Sequence, residues 1–186
     1  LDAFGLLDDI QNGFRPKRSA EQHLFALDES ILQGGKNLPV CYIDIKKAFP
    51  SVRRDSLLRA LHDVGVTGSI WYVICSMYEN TQSTIVIGTS ASTGYEIRNG
   101  VREGAILSPL LFTIFLNPLL LELRKLKLGL HHGKTWCGAL AYADDLVLIG
   151  ANLGKDPEGK ELQTMLDMCD MFANQHMMQF GYKTVS

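Results

Sequence analysis

The period of the apolar positions changes several times along the chain, and each change predicts an element. From Ser19, with Gln22 three residues on as in a capping box, Leu24, Leu27, Ile31 and Leu32 recur on one helical face until Gly34-Gly35 stops them. That spacing predicts a helix of about four turns. Residues 38–45, Leu-Pro-Val-Cys-Tyr-Ile-Asp-Ile, read as a buried strand. Helical spacing returns over 53–64, with Leu57, Leu58 and Leu61 and a C-capping Gly65, and again over 69–79. Residues 82–98 turn to period two, with 84–87 and 95–98 flanking a polar loop at 88–94, which predicts a hairpin. Ser108 as N-cap and Pro109 at the first helical position open a helix to Leu126. Its all-round hydrophobicity (Leu110, Leu111, Phe112, Ile114, Phe115, Leu116) marks it as the central buried helix. A loop at 129–134 precedes two short strands within 140–150. Asp156-Pro157 then opens a helix to about Gln175 with Leu162, Leu166, Cys169 and Phe172 on its core face, before a short end segment from Met177. No repeat, linker or low-complexity tract interrupts this order, which predicts one α+β domain.

Two places break the apolar pattern. Within 140–150, Leu-Ala-Tyr-Ala-Asp-Asp-Leu-Val-Leu-Ile-Gly, the adjacent carboxylates Asp144 and Asp145 sit between buried strands. Such a pair is costly there unless a cation binds it, and magnesium suits a rigid turn that offers few carboxylates and leaves its other positions to water and phosphate. A solvated Asp-Asp hairpin turn accounts for the same residues, because Asp favours turns. Asp44, near the end of its strand among aliphatic neighbours, is either paired with Lys46, Lys47 or a helix cap, or a metal ligand.

Composition narrows the classes. The chain has 186 residues, 46% of them hydrophobic, and a formal net charge of −2, so it is globular and carries no global pull toward nucleic acid. A nucleic-acid surface must be local, and the basic, turn-rich segment 11–18, with Arg15, Lys17 and Arg18, either grips phosphate or is a solvated loop. Cys41, Cys75, Cys137 and Cys169 lack paired spacing and read as reduced core thiols of an intracellular protein. The apolar run 110–121 is too short to span a bilayer and contains Asn117 and Pro118, so no membrane partner is expected.

Three pieces in order, Asp44-Ile-Lys-Lys-Ala-Phe49, Gly100-Val-Arg-Glu-Gly-Ala-Ile-Leu-Ser-Pro-Leu-Leu-Phe112 and Tyr142-Ala-Asp-Asp145, resemble reverse transcriptases of non-LTR retrotransposons and group II introns. Gln11 to Arg18 resembles the fingers segment that precedes them. The resemblance implies a polymerase palm, an antiparallel sheet backed by helices, with partial fingers and no thumb. It divides the chain into partial fingers (1–37), palm with the first catalytic Asp (38–52), a fingers-like insertion (53–104) and palm again (105–186). It implies RNA-directed DNA polymerase activity, joining deoxynucleoside triphosphates to a primer 3′-hydroxyl with two magnesium ions, manganese being a substitute. Asp44 and Asp144 would be the main metal ligands, Asp145 would assist, and the Ile45 carbonyl would complete one shell. Backbone N–H groups of Lys47, Ala48 and Phe49 would face the triphosphate. Phe49 would block a ribose 2′-hydroxyl, where the alternative is an ordinary core ring. Arg102, Glu103 and Gly104 would shape the nucleotide pocket, and Lys183 would protonate pyrophosphate. Arg15, Lys17 and Arg18 would touch nucleic acid.

Departures from the family pattern are as informative. Glu103 stands where Gln is usual and brings negative charge toward a triphosphate, and Pro50 replaces the Asp that commonly follows the aromatic ring. The expected partners are an RNA template, a DNA primer, deoxynucleotides, and fingers and thumb segments supplied in cis or by another chain. The expected location is intracellular, with nucleus and organelle both open as the compartment. A rival reading is a domesticated domain that serves as a non-enzymatic RNA-binding or structural subunit. Asp44 and Asp144, a hundred positions apart, must meet for the enzyme reading to stand.

Overall fold

The computed structural model describes residues 5–185. Ser19 caps α1 (Ala20–Gly34) reciprocally: its hydroxyl accepts from the Gln22 N–H at 3.3 Å, and the Gln22 side chain accepts from the Ser19 N–H at 3.2 Å. β1 (Val40–Lys46) turns Cys41, Ile43 and Ile45 into the core and Tyr42, Asp44 and Lys46 to the opposite face. Three helices follow: the short α2 (Ala48–Ser51), α3 (Arg54–Asp63) and α4 (Gly68–Tyr78). Next comes a nested hairpin, in which β2 (Gln82–Ser83) pairs with β5 (Tyr95–Glu96) outside β3 (Val86–Ile87) and β4 (Ser90–Ala91). After α5 (Ser108–Leu126) come the small ribbon β6 (His131–His132) and β7 (Thr135–Trp136), then β8 (Ala139–Tyr142), β9 (Asp145–Ile149), α6 (Lys160–His176) and β10 (Gln179–Val185).

Four strands form one antiparallel sheet in the order β10-β1-β9-β8. On one face Ile43, Ile45, Leu146 and Leu148 join Phe112, Phe115 and Leu120 of α5 and Met165 and Cys169 of α6 in the main core. The α5 stretch is buried on nearly all sides, as its composition predicts. Across the sheet, Val40, Val147 and Ile149 pack with Leu27 of α1 and with Leu38 and Leu130 in a smaller cluster. That cluster covers only part of this face and leaves the end carrying Asp44 and Asp145 open.

Several expected details are corrected. Ser108 is the first helical residue of α5 rather than its N-cap, and its hydroxyl donates to the Arg102 carbonyl at 2.5 Å. α6 starts at Lys160, not at Asp156-Pro157, because 156–159 form a turn in which Asp156 accepts from the Glu161 N–H at 2.8 Å. The hairpin loop expected at 88–94 shortens to Gly88-Thr89, since Ile87 already pairs with Ser90. The expected loop at 129–134 contains strand pairing between His132 and Thr135. On α1, Leu27 and His23 are buried whereas Leu24 and Leu32 are exposed, because the helix touches the sheet along a narrower stripe than its apolar face. Among the described residues no helix is long and apolar enough to cross a membrane, and all four cysteines are free thiols.

His176 ends α6 with its ring against Phe172 and Phe115, at centroid distances of 4.3 and 5.1 Å, and its Nδ1 is buried without a hydrogen-bond partner among the described residues. Burial holds its pKa below the usual 6.5; the Arg53 and Arg59 charges add to this and Asp55 opposes it. The folded state therefore prefers the neutral ring, so this contribution is complete above the unfolded value and is lost as pH falls through the lower folded one. His176→Leu is expected to narrow the difference between melting temperatures at about pH 5 and about pH 7.5. An acid limb as steep as in the parent chain would remove His176 from that account.

Candidate active site

The β8–β9 connection is a two-residue turn, Ala143-Asp144, closed by pairing of Tyr142 with Asp145. Ala143 has φ of +57°, and Asp144 is not among the positive-φ residues, as in a type II′ turn that ordinarily takes glycine first. The register between β1 and β9 sets Asp44 directly opposite Asp145, and β10 sets Gly181 on the other side of Asp44. Residues opposed in this way share a face, with Cβ atoms about 5 Å apart. Two carboxylates are thus fixed side by side by strand pairing, and a third leaves the adjoining turn.

Two depressions meet at Asp44. One, of about 760 Å³, is bordered by Asp44 and Asp144, by Ile45, Lys47, Ala48 and Phe49, and by Glu103 and Gly104. The other, of about 670 Å³, lies on the open face of the sheet between α1 and β10, and there Asp44 and Asp145 join His23, Leu24, Tyr42 and Lys183. The Ile45 side chain is buried in the core, so it can offer the first depression only backbone atoms. Phe49 is half-buried, packed on Phe112 at 5.5 Å while its remaining surface borders the depression. Lys183 pairs across from Tyr42 and borders the groove, so the structure does not bring it to the Phe49 side.

Positions 100–104 reach Phe49 through backbone bonds: the Gly100 N–H donates to the Val52 carbonyl at 2.7 Å and the Val101 N–H to the Phe49 carbonyl at 3.0 Å. A Cβ at Gly100, whose φ is +90°, would stand 3.0 Å from the Pro50 Cα, so glycine lets this segment approach α2 this closely. Arg54 locks the same junction by donating to the carbonyls of Ile97, Gly100 and Tyr78 at 2.6 to 3.1 Å, with its guanidinium 5.0 Å from the Tyr78 ring. Nothing in the helical spacing of 53–64 distinguishes Arg54 from a solvated arginine. Arg102, by contrast, is exposed, donates to the Met77 carbonyl at 2.8 Å and does not border the depression.

The basic segment also divides. Arg15 is buried and donates to the carbonyls of Asp8 and Gln11 at 2.7 and 3.2 Å, with Asp9 at 3.6 Å, so its charge organises the segment rather than facing solvent. Arg18 pairs with Asp9 at 2.6 Å and Asn12 at 2.9 Å, while Lys17 is exposed. Asp8, buried, holds Arg124 of α5 in a two-pronged ion pair at 2.6 and 2.7 Å. Arg124 consequently titrates above its usual value, chiefly through that hydrogen bond.

Among the described residues no hydrogen bond or ion pair engages the carboxylates of Asp44, Asp144 or Asp145. Partial burial first, then the neighbouring Asp144 and Asp44 charges, push the Asp145 carboxyl up, and His23 opposes this. A hard divalent cation would relieve that repulsion, so the donor chemistry fits magnesium. No three His, Cys, Asp or Glu side chains among the described residues converge into a ready cage.

Residues 1–182 match the family described as reverse transcriptase (RNA-dependent DNA polymerase), a family that uses divalent metals. The chain is 35% identical over 116 residues, 62% of its length, to a Pol polyprotein from the type-1 retrotransposable element R2 of Popillia japonica. It is 32% identical over 148 residues, 78% of its length, to the corresponding R2 polyprotein of Nasonia vitripennis. It spans only 19% and 14% of those two relatives. Among solved structures, apo telomerase from Candida tropicalis, truncated from its C-terminal domain, superposes over 90% of this chain and 35% of its own with a TM-score of 0.57. At 15% identity that likeness concerns the fold alone, and it fits a polymerase palm. By the match over nearly its whole length, the chain belongs to the reverse transcriptase family.

Proposed function

We propose that the chain is the catalytic part of an RNA-directed DNA polymerase encoded by a retrotransposable element, as its R2 relatives are named. The observation that carries this reading is the meeting of Asp44 and Asp144 with Phe49 around one depression, with Asp145 opposite Asp44 across the sheet. In this reading residues 38–52 and 105–186 are palm, while 1–37 and 53–104 belong to the fingers. Asp44 and Asp144 hold the metal pair, with Asp145 and the Ile45 carbonyl assisting. Magnesium held there would supply the positive charge that favours an ionised primer 3′-hydroxyl and a departing pyrophosphate. Lys47, Ala48 and Phe49 present backbone to the triphosphate, and the Phe49 ring stands where a ribose 2′-hydroxyl would project. Lys183 lies on the groove side of Asp44, so a primer phosphate suits its place better than pyrophosphate.

Glu103 favours the second reading, a non-enzymatic RNA-binding or structural subunit, because it sets a negative charge on the rim of the depression where a triphosphate would lie. Primer extension on an RNA template with magnesium and all four deoxynucleotides, with the expected fingers and thumb segments supplied, separates the two; extension is the expected result there, and the 186 residues alone are expected to extend little. Phe49→Ala is expected to raise ribonucleotide use relative to deoxynucleotide by about tenfold or more in the ratio of specificity constants, because the discrimination is steric. A ratio unchanged in an active variant would return Phe49 to the core, where its contact with Phe112 already places part of it.

A further inference from the structure

We propose that Gln11 is a positioning residue that holds Ala143 in its left-handed conformation and so fixes the direction in which Asp144 leaves the β8–β9 turn. The inference rests on the polymerase reading for its kinetic consequence, though not for its structural one. Gln11 is fully buried. Its Oε1 accepts from the Ala143 N–H at 2.8 Å and the Gly13 N–H at 2.7 Å, and its Nε2 donates to the Ala143 carbonyl at 3.0 Å. One planar amide therefore clamps the donor and the acceptor of a single residue, whose two soft torsions lie between them. The amide orientation is dictated by its partners, since the reverse assignment would aim an NH₂ group at two N–H donors.

The clamp is itself held in place. Segment 10–13 runs beside β8, with the Asn12 N–H donating to the Ala141 carbonyl at 2.8 Å and the Ala141 N–H to the Ile10 carbonyl at 3.0 Å. A Cβ at Gly13 would lie 2.2 Å from the Ala143 nitrogen, so the segment can sit this close only with glycine there. Asp8 fixes the start of the segment by accepting from the Ile10 N–H at 2.8 Å and by its pair with Arg124, while its own N–H donates to the Asn117 side chain at 2.8 Å. An L-residue at positive φ is disfavoured and persists only where its surroundings over-determine it. Here the surroundings are one side chain 132 positions away in sequence. Glycine at 143 would adopt the same φ unaided, yet would leave the turn free to wander, whereas alanine with the Gln11 clamp gives one direction to Asp144.

The test combines amide exchange with single-turnover kinetics on Gln11→Ala, Gln11→Glu and Gln11→Ala combined with Ala143→Gly. In Gln11→Ala the Ala143 amide is expected to exchange about tenfold faster or more while amides of α5 keep their protection. The single-turnover rate at saturating deoxynucleotide is expected to fall about 10- to 100-fold with KM changed less than about threefold, the size seen when support to a metal ligand is lost. Gln11→Glu keeps the acceptor for both N–H groups and is expected to fall between, and it also serves if Gln11→Ala does not fold. Adding Ala143→Gly is expected to restore part of the lost rate, because the turn then needs no clamp to reach positive φ. Unchanged Ala143 exchange in Gln11→Ala would overturn the proposal, as would exchange faster everywhere with no rescue by glycine. If the parent chain extends no primer even with the expected fingers and thumb segments supplied, the polymerase reading fails while the exchange measurements still decide whether Gln11 holds the turn.

Discussion

Asp144→Asn is expected to lower magnesium-dependent primer extension by about a thousandfold or more, with the fold intact. A metal ion stabilises developing charge by several kcal/mol, and each factor of ten in rate corresponds to about 1.4 kcal/mol. Asparagine keeps the size and one oxygen of the side chain but removes the charge on which a hard cation depends. Asp44→Asn should match it, since Asp44 borders both depressions and stands opposite Asp145. Thermal stability without metal should not fall in either variant, because each removes a negative charge that pushes the Asp145 carboxyl up. Rapid-quench extension across a magnesium titration, beside melting curves, makes the comparison. Near-normal extension by Asp144→Asn would refute the assigned role, and a variant that loses activity together with stability would make the carboxylate a structural group.

Arg124→Met is expected to cost about 2 kcal/mol of stability, less than the about 3 to 5 kcal/mol lost when one partner of a fully buried pair is removed, because the Arg124 side chain is 42% exposed and water screens its end of the pair. The Asp8 side chain is 3% exposed and would be left without its ion-pair partner, while the 5.6 Å contact of Arg124 with the Trp136 ring would also be lost. Adding Asp8→Asn to Arg124→Met should recover much of the loss, since the orphaned charge is then removed and the Asn side chain can still accept from Ile10. Urea unfolding of the three variants reads this directly. A double variant no better than Arg124→Met would mean that the cost lies in packing of the arginine stem.

Much of the architecture was legible because it is written in local pattern. The Ser19 and Gln22 box opens α1, the apolar run 38–45 predicts the strand found as β1, and Pro109 near its start with an all-round apolar run makes α5 the buried helix. What local pattern could not give is anything decided by a distant partner. Ser108 looks like an N-cap until the Arg102 carbonyl claims its hydroxyl, and Arg15 looks like a phosphate ligand until the Asp8 and Gln11 carbonyls surround it. Arg54 carries no signal, and Gln11, although it opens the segment that resembles the fingers, gives no sign of its role, since each acts through backbone carbonyls or amides of residues far along the chain. The candidate site divides in the same way. The resemblance to reverse transcriptases implied that Asp44, Asp144, Phe49, Glu103 and Gly104 lie together, whereas the separation of Lys183 and Arg102 from that depression follows from strand register and loop exit.

The strand order β10-β1-β9-β8 has a consequence for how the molecule comes into being. β1 is an inner strand, yet both of its neighbours are translated long after it, one at Asp145–Ile149 and the other at Gln179–Val185. Until they arrive, its two edges carry unpaired amides and carbonyls that invite pairing with other chains. Closing such long loops is entropically slow, so helices α3, α4 and α5 can form on the ribosome while the sheet cannot. Asp44 can face Asp145 only once β9 has been made, and until β10 follows, one edge of β1 stays unpaired, which exposes the nascent polypeptide to aggregation during synthesis.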